Sequence, residues 1–178
     1  MLTKINVFGI VKEHLKTLRK YGKKRMSISD AFTFIIIPLV CASYLLYKNL
    51  SLTEGTINTI IAALSIFAGF LFNLLAIVFG LMDKIKINAE GDELKEKLVK
   101  EVHSNISYNI LLSVLTILML FLCLYKFKGQ FDIDFKESSF SLKYASVVNF
   151  ATYFLLVNFL FTLLMVIKRV HILMKKEF

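Results

Sequence analysis

The sequence has few of the residues from which enzymes and disulfide-stabilised domains are built. It contains one proline and two cysteines, and both cysteines, Cys41 and Cys123, fall in apolar stretches. Two cysteines placed in this way form neither a disulfide framework nor a metal-ligand pattern. A glycine-rich phosphate loop, a His–Glu–x–x–His pair, a G-x-S-x-G elbow and a CxxC motif are also lacking. We therefore predict that the protein is not an enzyme and holds no cofactor and no metal.

Four long stretches contain no Asp, Glu, Lys or Arg, at about 31–47, 57–82, 106–124 and 145–167. Each is roughly long enough to cross ~30 Å of hydrocarbon. The hydrophobic content of 57% is too high for an ordinary soluble domain. We therefore predict an all-α integral membrane protein with four transmembrane helices, forming one domain over 1–178. Proton-coupled export is disfavoured because small multidrug exporters depend on a membrane-embedded glutamate, which these stretches lack.

Lysine and arginine are unevenly divided among the segments that join these stretches. Residues 1–30, 83–105 and 168–178 together carry 17 of them, whereas 48–56 and 125–144 carry 5. Because basic residues are retained on the cytosolic side, we predict that both termini lie inside. The 83–105 segment is then a cytosolic helix that continues into the third span, and 125–144 is an outer loop. That loop forms either a short hairpin or a chain that dips its aromatic side chains into the headgroups.

Residues 1–30 form a basic arm, and residues 2–25 within it have the pattern of an amphipathic helix. Apolar residues recur there at steps of three and four, at Phe8, Val11, Leu15 and Leu18. This pattern is typical of a helix that lies in the membrane interface; a partner-binding helix is the alternative. The basic residues predicted to contact anionic lipid or a partner are Lys12, Lys16, Arg19, Lys20 and Lys23. Lipid headgroups account for the net charge of +9, and direct nucleic-acid binding is not expected because no motif for it is present.

The second stretch carries small and polar residues along one face of the predicted helix. The members of this stripe, at steps of three and four, are Asn58, Ala62, Ser65, Gly69, Asn73, Ala76 and Gly80. Large apolar residues occupy the opposite face, which we expect to meet lipid: Ile60, Leu64, Phe67, Leu71, Leu74, Val78 and Leu81. Small residues let membrane helices approach closely, and amides form hydrogen bonds between them. The stripe therefore predicts helix packing, in a homo-oligomer or around a narrow polar path.

Amides also occur in the third and fourth stretches, where they need partners inside the protein. The residues that we predict to pack helices or line a pore are Ser65, Gly69, Asn73, Ala76, Asn109 and Asn158. The single proline, Pro38, predicts a kink near the middle of the first span. The short 48–56 segment predicts an antiparallel hairpin of the first two spans. His14, His103 and His171 fall at the predicted cytosolic boundary, either as a titrating cluster or by chance.

Residues 58–84 read NTIIAALSIFAGFLFNLLAIVFGLMDK. The SIFAGFLFNLL core and its small-residue pattern resemble the second span of small four-span membrane proteins encoded among bacterial anti-phage defence genes. That group includes the membrane subunit of Kiwa-type systems and membrane accessory proteins of some RNA-targeting CRISPR systems. The resemblance implies a homo-oligomeric inner-membrane protein that works with a cytosolic partner, and it carries over no site residue.

These features lead to two expectations of function. The first is an oligomeric inner-membrane component of an anti-phage defence system, which acts as a membrane sensor or scaffold and recruits a cytosolic protein. The alternative is a channel or pore-forming effector that depolarises the membrane, using the same polar faces and a hinge at Pro38.

Overall fold

The structure is a computed structural model that describes residues 7–18, 32–48, 50, 52–87, 93–127 and 138–175. Apart from a few connecting residues, the described ranges are helical, and the predicted all-α class is confirmed. In chain order the helices are α1 (Phe8–Thr17), a π-helical segment (Phe32–Ile36), α2 (Ile37–Tyr47), α3 (Glu54–Ile87), α4 (Glu93–Phe127) and α5 (Ser138–Lys175).

Three of these helices are long and apolar enough to cross a membrane. The candidate spans are Glu54–Met82 in α3, Lys95–Leu124 in α4 and Ser146–Lys175 in α5. The first predicted span is shorter, because the π segment has 5 residues and α2 has 11. Together they reach about 24 Å at the α-helical rise. The chain is therefore a multi-pass membrane protein with three helices of full spanning length.

Helix α4 lies at the centre of the bundle. It contacts α3, α5 and α1, while α2 and the π segment pack on α5. The predicted hairpin of the first two spans is wrong, because α2 packs on α5 and makes no helix contact with α3. Helices α2 and α3 are therefore consecutive without being neighbours, and hydrogen bonds from α5, described below, hold α2 on α5 instead.

Besides Asn105, Ile110 and Leu112, α4 buries eight residues that follow the spacing of a coiled-coil seam. They recur at steps of three and four: Val99, Val102, Ile106, Asn109, Ser113, Thr116, Leu120 and Cys123. Helix α3 buries one residue in every seven, at Ile57, Leu64, Leu71 and Val78. Helix α5 has the same spacing at Thr152, Phe159, Val166 and Leu173, and it also buries Val148, Tyr153, Asn158 and Thr162. Such heptad spacing produces left-handed packing of helices at crossing angles near +20°.

Helix α3 turns its large apolar face toward the bundle, which corrects the expectation that this face meets lipid. Leu64, Leu71 and Val78 are at most 4% exposed. The middle of the α4 seam is small and polar, so large side chains on the neighbouring helix fill the space opposite it. The small-residue stripe consequently lies on the outer surface of the chain.

Pro38 lies in the first turn of α2, two residues after the end of the π segment and within the apolar helix Phe32–Tyr47. A proline is tolerated in a first turn, but it removes the N–H that the carbonyl of Phe34, four residues earlier, accepts in an α-helix. Asn158 of α5 replaces that donor, with Nδ2 donating to the Phe34 carbonyl at 3.0 Å. The bond places the start of α2 against α5. A second tether follows at the other end of α2, where the Tyr153 hydroxyl donates to the carbonyl of Leu50.

The ends of α4 and α5 differ in part from the predicted segments. Helix α4 runs without a break from Glu93 to Phe127, through the boundary between the predicted cytosolic helix and the third span. Helix α5 begins at Ser138, so the last part of the predicted outer loop is helical. The alternating residues 131–135, for which a hairpin is one prediction, lie outside the described residues.

The bond between Asn158 and Phe34 predicts a specific energetic coupling. Asn158→Leu should lower the free energy of unfolding in detergent by about 1–3 kcal/mol, because it leaves a buried carbonyl without a donor. In a Pro38→Ala background the backbone N–H is restored, so the same substitution should cost clearly less. Equal costs in the two backgrounds would contradict the assignment.

Candidate functional site

Buried polar groups concentrate where α1 packs on α4. His14 is 3% exposed, Thr17 is 9% exposed and Asn105 is fully buried. His14 Nδ1 donates to Asn105 Oδ1 at 2.9 Å. The Thr17 hydroxyl is 2.8 Å from the same oxygen and 2.8 Å from the carbonyl of His14, so its single proton serves one acceptor at a time. One amide oxygen on α4 therefore holds two consecutive turns of α1.

Aromatic contacts enclose the imidazole of His14. It stacks on the ring of Tyr108 in α4, with the centroids 3.8 Å apart and the planes 10° from parallel. It also meets the ring of Phe34 edge-on, with the centroids 6.4 Å apart. His14 thus touches both α4 and the π segment, at the residue whose carbonyl is bonded to Asn158.

Arg169 of α5 completes this site by joining three helices. Its Nη2 donates to the carbonyl of Thr17 at 2.9 Å, and its Nη1 lies 3.2 Å from Oε2 of Glu101 in α4. Thr17 is the last residue of α1, where a cation satisfies terminal carbonyls and the negative end of the helix dipole. We call this set the polar junction: His14, Thr17, Glu101, Asn105, Tyr108 and Arg169.

The polar junction keeps His14 neutral at physiological pH. Burial lowers the pKa of His14 from 6.5 to about 4, against the hydrogen bond that His14 donates to Asn105, which raises it. The positive charge of Arg169 lowers the pKa of His14 further. A neutral imidazole has one N–H, and in this arrangement Nδ1 carries it toward Asn105.

Asn109 lies one turn further along α4 and differs from Asn105 in its bonding. It is fully buried, and neither atom of its amide forms a hydrogen bond with the described residues. A buried amide in a heptad seam fixes the register of neighbouring helices at a cost in stability. Asn109 is therefore a packing residue with an energetic penalty rather than part of the polar junction.

The predicted stripe on α3 lies away from these buried groups. Ser65, Gly69, Asn73 and Ala76 are all exposed on the chain. A Cβ at Gly69 would meet no atom within 4 Å. The Ser65 hydroxyl donates to the carbonyl of Ile61 in its own helix at 2.8 Å, so it offers little to a partner. The structure therefore separates the predicted packing residues into the buried Asn109 and Asn158 and an outward-facing set on α3.

The predicted basic residues on α1 also face outward. Lys12 and Lys16 are exposed, and Lys16 pairs with Glu13 at 2.5 Å. Arg19, Lys20 and Lys23 lie outside the described residues. On the same helix Phe8 is 82% exposed, which places a large apolar side chain beside the lysines.

Of the three histidines at the predicted boundary, the polar junction takes up only His14. His103 is half-buried and His171 is exposed. Within the described ranges, no group of three or more His, Cys, Asp or Glu side chains could hold a metal ion.

The contact between α1 and α4 was not predicted from the sequence. Asn105 and Asn109 share one helical face, but nothing in the spacing shows that only Asn105 meets another helix. A usable signal was the pair His14 and Thr17, which lie one turn apart on α1 and are neither apolar nor charged at neutral pH. Such a pair suits a protein surface better than either lipid or headgroups.

We compared the chain with protein families, characterised proteins and solved structures, and none of them matches it. Function is therefore inferred from the geometry of the chain.

Substitution of Asn105 and substitution of Asn109 should have different effects on the rate at which trypsin cleaves α1. Asn105→Leu removes the acceptor of His14 and Thr17, so α1 should detach and trypsin should cut at Lys12 and Lys16 at least tenfold faster. Asn109→Leu removes an amide that has no bonded partner, so cleavage should be unchanged and the unfolding free energy equal or higher. Site-resolved mass spectrometry of the digest checks both. Faster cleavage in both variants would contradict the assigned roles.

Proposed function

We propose that this chain is a homo-oligomeric membrane protein of the bacterial inner membrane, which acts as a sensor or scaffold in an anti-phage defence system. The observation that carries the proposal is the exposure of the whole small-residue stripe on α3. Its seven members, from Asn58 to Gly80, all lie on the surface of the chain.

Helix α3 is the least covered of the three long helices. Of its most apolar 18-residue stretch, 11% is buried in the chain, against 44% for α4 and 33% for α5. The face of α3 that carries Leu64, Leu71 and Val78 already packs on the bundle, so the surface left over includes the small face, together with large residues such as Phe70 and Ile77. Small residues on one face of a membrane helix allow another helix to approach closely, whereas contact with lipid does not require them on one face.

A second copy of the chain is the partner that fits this face. Gly69 has open space around it and allows close approach of two backbones. Asn73 presents an amide to the outside near the middle of a span, where hydrocarbon offers it no hydrogen bond. An identical stripe on a neighbouring chain supplies both the matching small surface and an amide partner, as in the symmetric contacts of most homo-oligomers.

The remaining architecture follows from the charge pattern and the exposed apolar residues. We place both termini in the cytosol and the π segment with α2 as a fourth, short crossing. Leu39, Val40 and Tyr44 are exposed there and suit contact with lipid. A short apolar crossing is accommodated by local thinning of the bilayer. Helix α1 then lies at the cytosolic interface, with Phe8 among acyl chains and Lys12 and Lys16 among anionic headgroups.

The defence role rests on the resemblance of residues 58–84 to the second span of defence-associated membrane proteins. In this proposal the basic cytosolic surface and the cytosolic part of α4 receive a soluble protein partner. A gene for a nuclease or a nucleotide-sensing protein beside this one would support that role.

Two adjacent alanines test the oligomer with a matched control. Both are exposed on α3, but Ala62 lies on the stripe and Ala63 points about 100° away from it. Ala62→Leu should convert the oligomer to smaller species in native mass spectrometry from nanodiscs, and Gly69→Leu should do the same. Ala63→Leu should leave the mass unchanged. The proposal fails if the wild-type chain is monomeric or if both alanine variants behave alike.

Ion flux across liposomes that contain the wild-type chain distinguishes a scaffold from a pore. A scaffold should pass no ions, so Asn73→Leu should leave the flux at background. If wild-type liposomes conduct and Asn73→Leu abolishes the current while the oligomer persists, the alternative of a pore lined by α3 replaces the scaffold.

A further inference from the structure

We propose that α1 is a strap which proton uptake by His14 releases from the bundle. The proposal goes beyond the assembly through α3 and does not depend on it. It begins with how little apolar surface holds α1 in place. Among the described residues of this arm, Leu18 is the one apolar side chain that is fully buried, Ile10 and Val11 are half-buried, and Phe8 and Leu15 face outward. Docking depends instead on the polar junction.

The docked site encloses the His14 ring, which is 3% exposed, and its hydrogen bond to Asn105 is available to the neutral and the charged ring alike. Nδ1 donates to Asn105, one face stacks on Tyr108, and an edge meets Phe34. A second proton on Nε2 needs an acceptor and adds a charge where burial and Arg169 already disfavour one. On release, the ring returns to water and the charge is solvated. Protonation therefore favours the undocked helix.

The charged and titratable groups around His14 do not offset this effect. Glu101 is the nearby carboxylate of α4, and it is engaged by Arg169 of α5 at 3.2 Å. Glu13, on α1 itself, pairs with Lys16 at the exposed surface. The π segment contributes only the apolar ring of Phe34 at this point. The other titratable groups near the site are Lys12 on α1 and His103 and Tyr108 on α4.

The direction and size of the response follow from proton linkage. The docked pKa of His14, about 4, lies below the value of 6.5 in water, so docking is fully stable above pH 6.5 and weakens as pH falls toward 4. Between these values the docking equilibrium constant falls about tenfold by pH 5.5 and about thirtyfold by pH 5. The released helix carries Lys12, Lys16 and a charged His14 beside Phe8 and Leu15. That composition is typical of a helix that binds an anionic membrane surface.

Spin labels on the full chain in nanodiscs measure the release directly. One label is attached at Lys12→Cys on α1 and the other at Lys168→Cys on α5, both exposed positions, with Cys41 and Cys123 replaced by alanine and serine. Double electron–electron resonance then gives the ratio of undocked to docked α1 from pH 7.5 to pH 5. We expect this ratio to rise about tenfold by pH 5.5. An unchanged ratio overturns the proposal.

Three substitutions assign the response to His14. His14→Gln should remove the pH dependence, while His171→Gln, at an exposed histidine on α5, should retain it. Asn105→Asp places a carboxylate beside Nδ1, so protonated His14 gains an ion pair and α1 should stay docked at pH 5. If α1 is undocked at every pH in the His14→Gln variant, the response of the Asn105→Asp variant tests the proposal instead. Release that persists in Asn105→Asp, or that disappears in His171→Gln, overturns the proposal.

Discussion

A backbone carbonyl that lacks its helical donor needs another partner, and this requirement holds the two short helices on the bundle. Pro38 leaves the carbonyl of Phe34 without its helical donor, and Asn158 supplies one from α5. The end of α1 presents the carbonyl of Thr17, and Arg169 of the same helix binds it. Helix α5 therefore holds both α1 and α2 through groups that their own backbones cannot satisfy.

Size complementarity determines which face of α3 packs against α4. The α4 seam is small and polar at its middle, with Asn109, Ser113 and Thr116 fully buried. The hydroxyls of Ser113 and Thr116 bond to carbonyls of their own helix, so the seam is polar in composition yet largely satisfied. Large residues of α3 pack toward this seam, and the small residues of α3 remain outside. The surface available for assembly is thus a consequence of how the interior is filled.

The sequence allows the helical class and the three long spans to be predicted, because each rests on local composition and length. The neighbours of each helix were harder to predict. A stripe of small residues and a stripe of large ones each suit a helix–helix contact, and only the seam of α4 shows which one packs inside. That seam is visible as a repeat of seven, but polar residues such as Asn109 and Thr116 hide it from a search for apolar periodicity.

The polar junction could be predicted only in part, for a related reason. His14 and Asn105 are 91 positions apart along the chain, and no local pattern links a side chain on α1 to one on α4. The basic residues of α1 favour a membrane surface as its partner, with a protein partner as the alternative. In the structure its polar side binds the bundle, while Phe8 and the described lysines face outward.

The central claim is that chains meet through the small face of α3, and disulfide cross-linking in native membranes tests it most directly. Single cysteines at Ala62, Gly69 and Ala76 lie on that face, and the next residue after each lies off it by about 100°. With Cys41 and Cys123 replaced, oxidation should cross-link the first set into dimers and leave the second set monomeric. Equal cross-linking of the two sets, or none in either, would contradict an assembly built on α3.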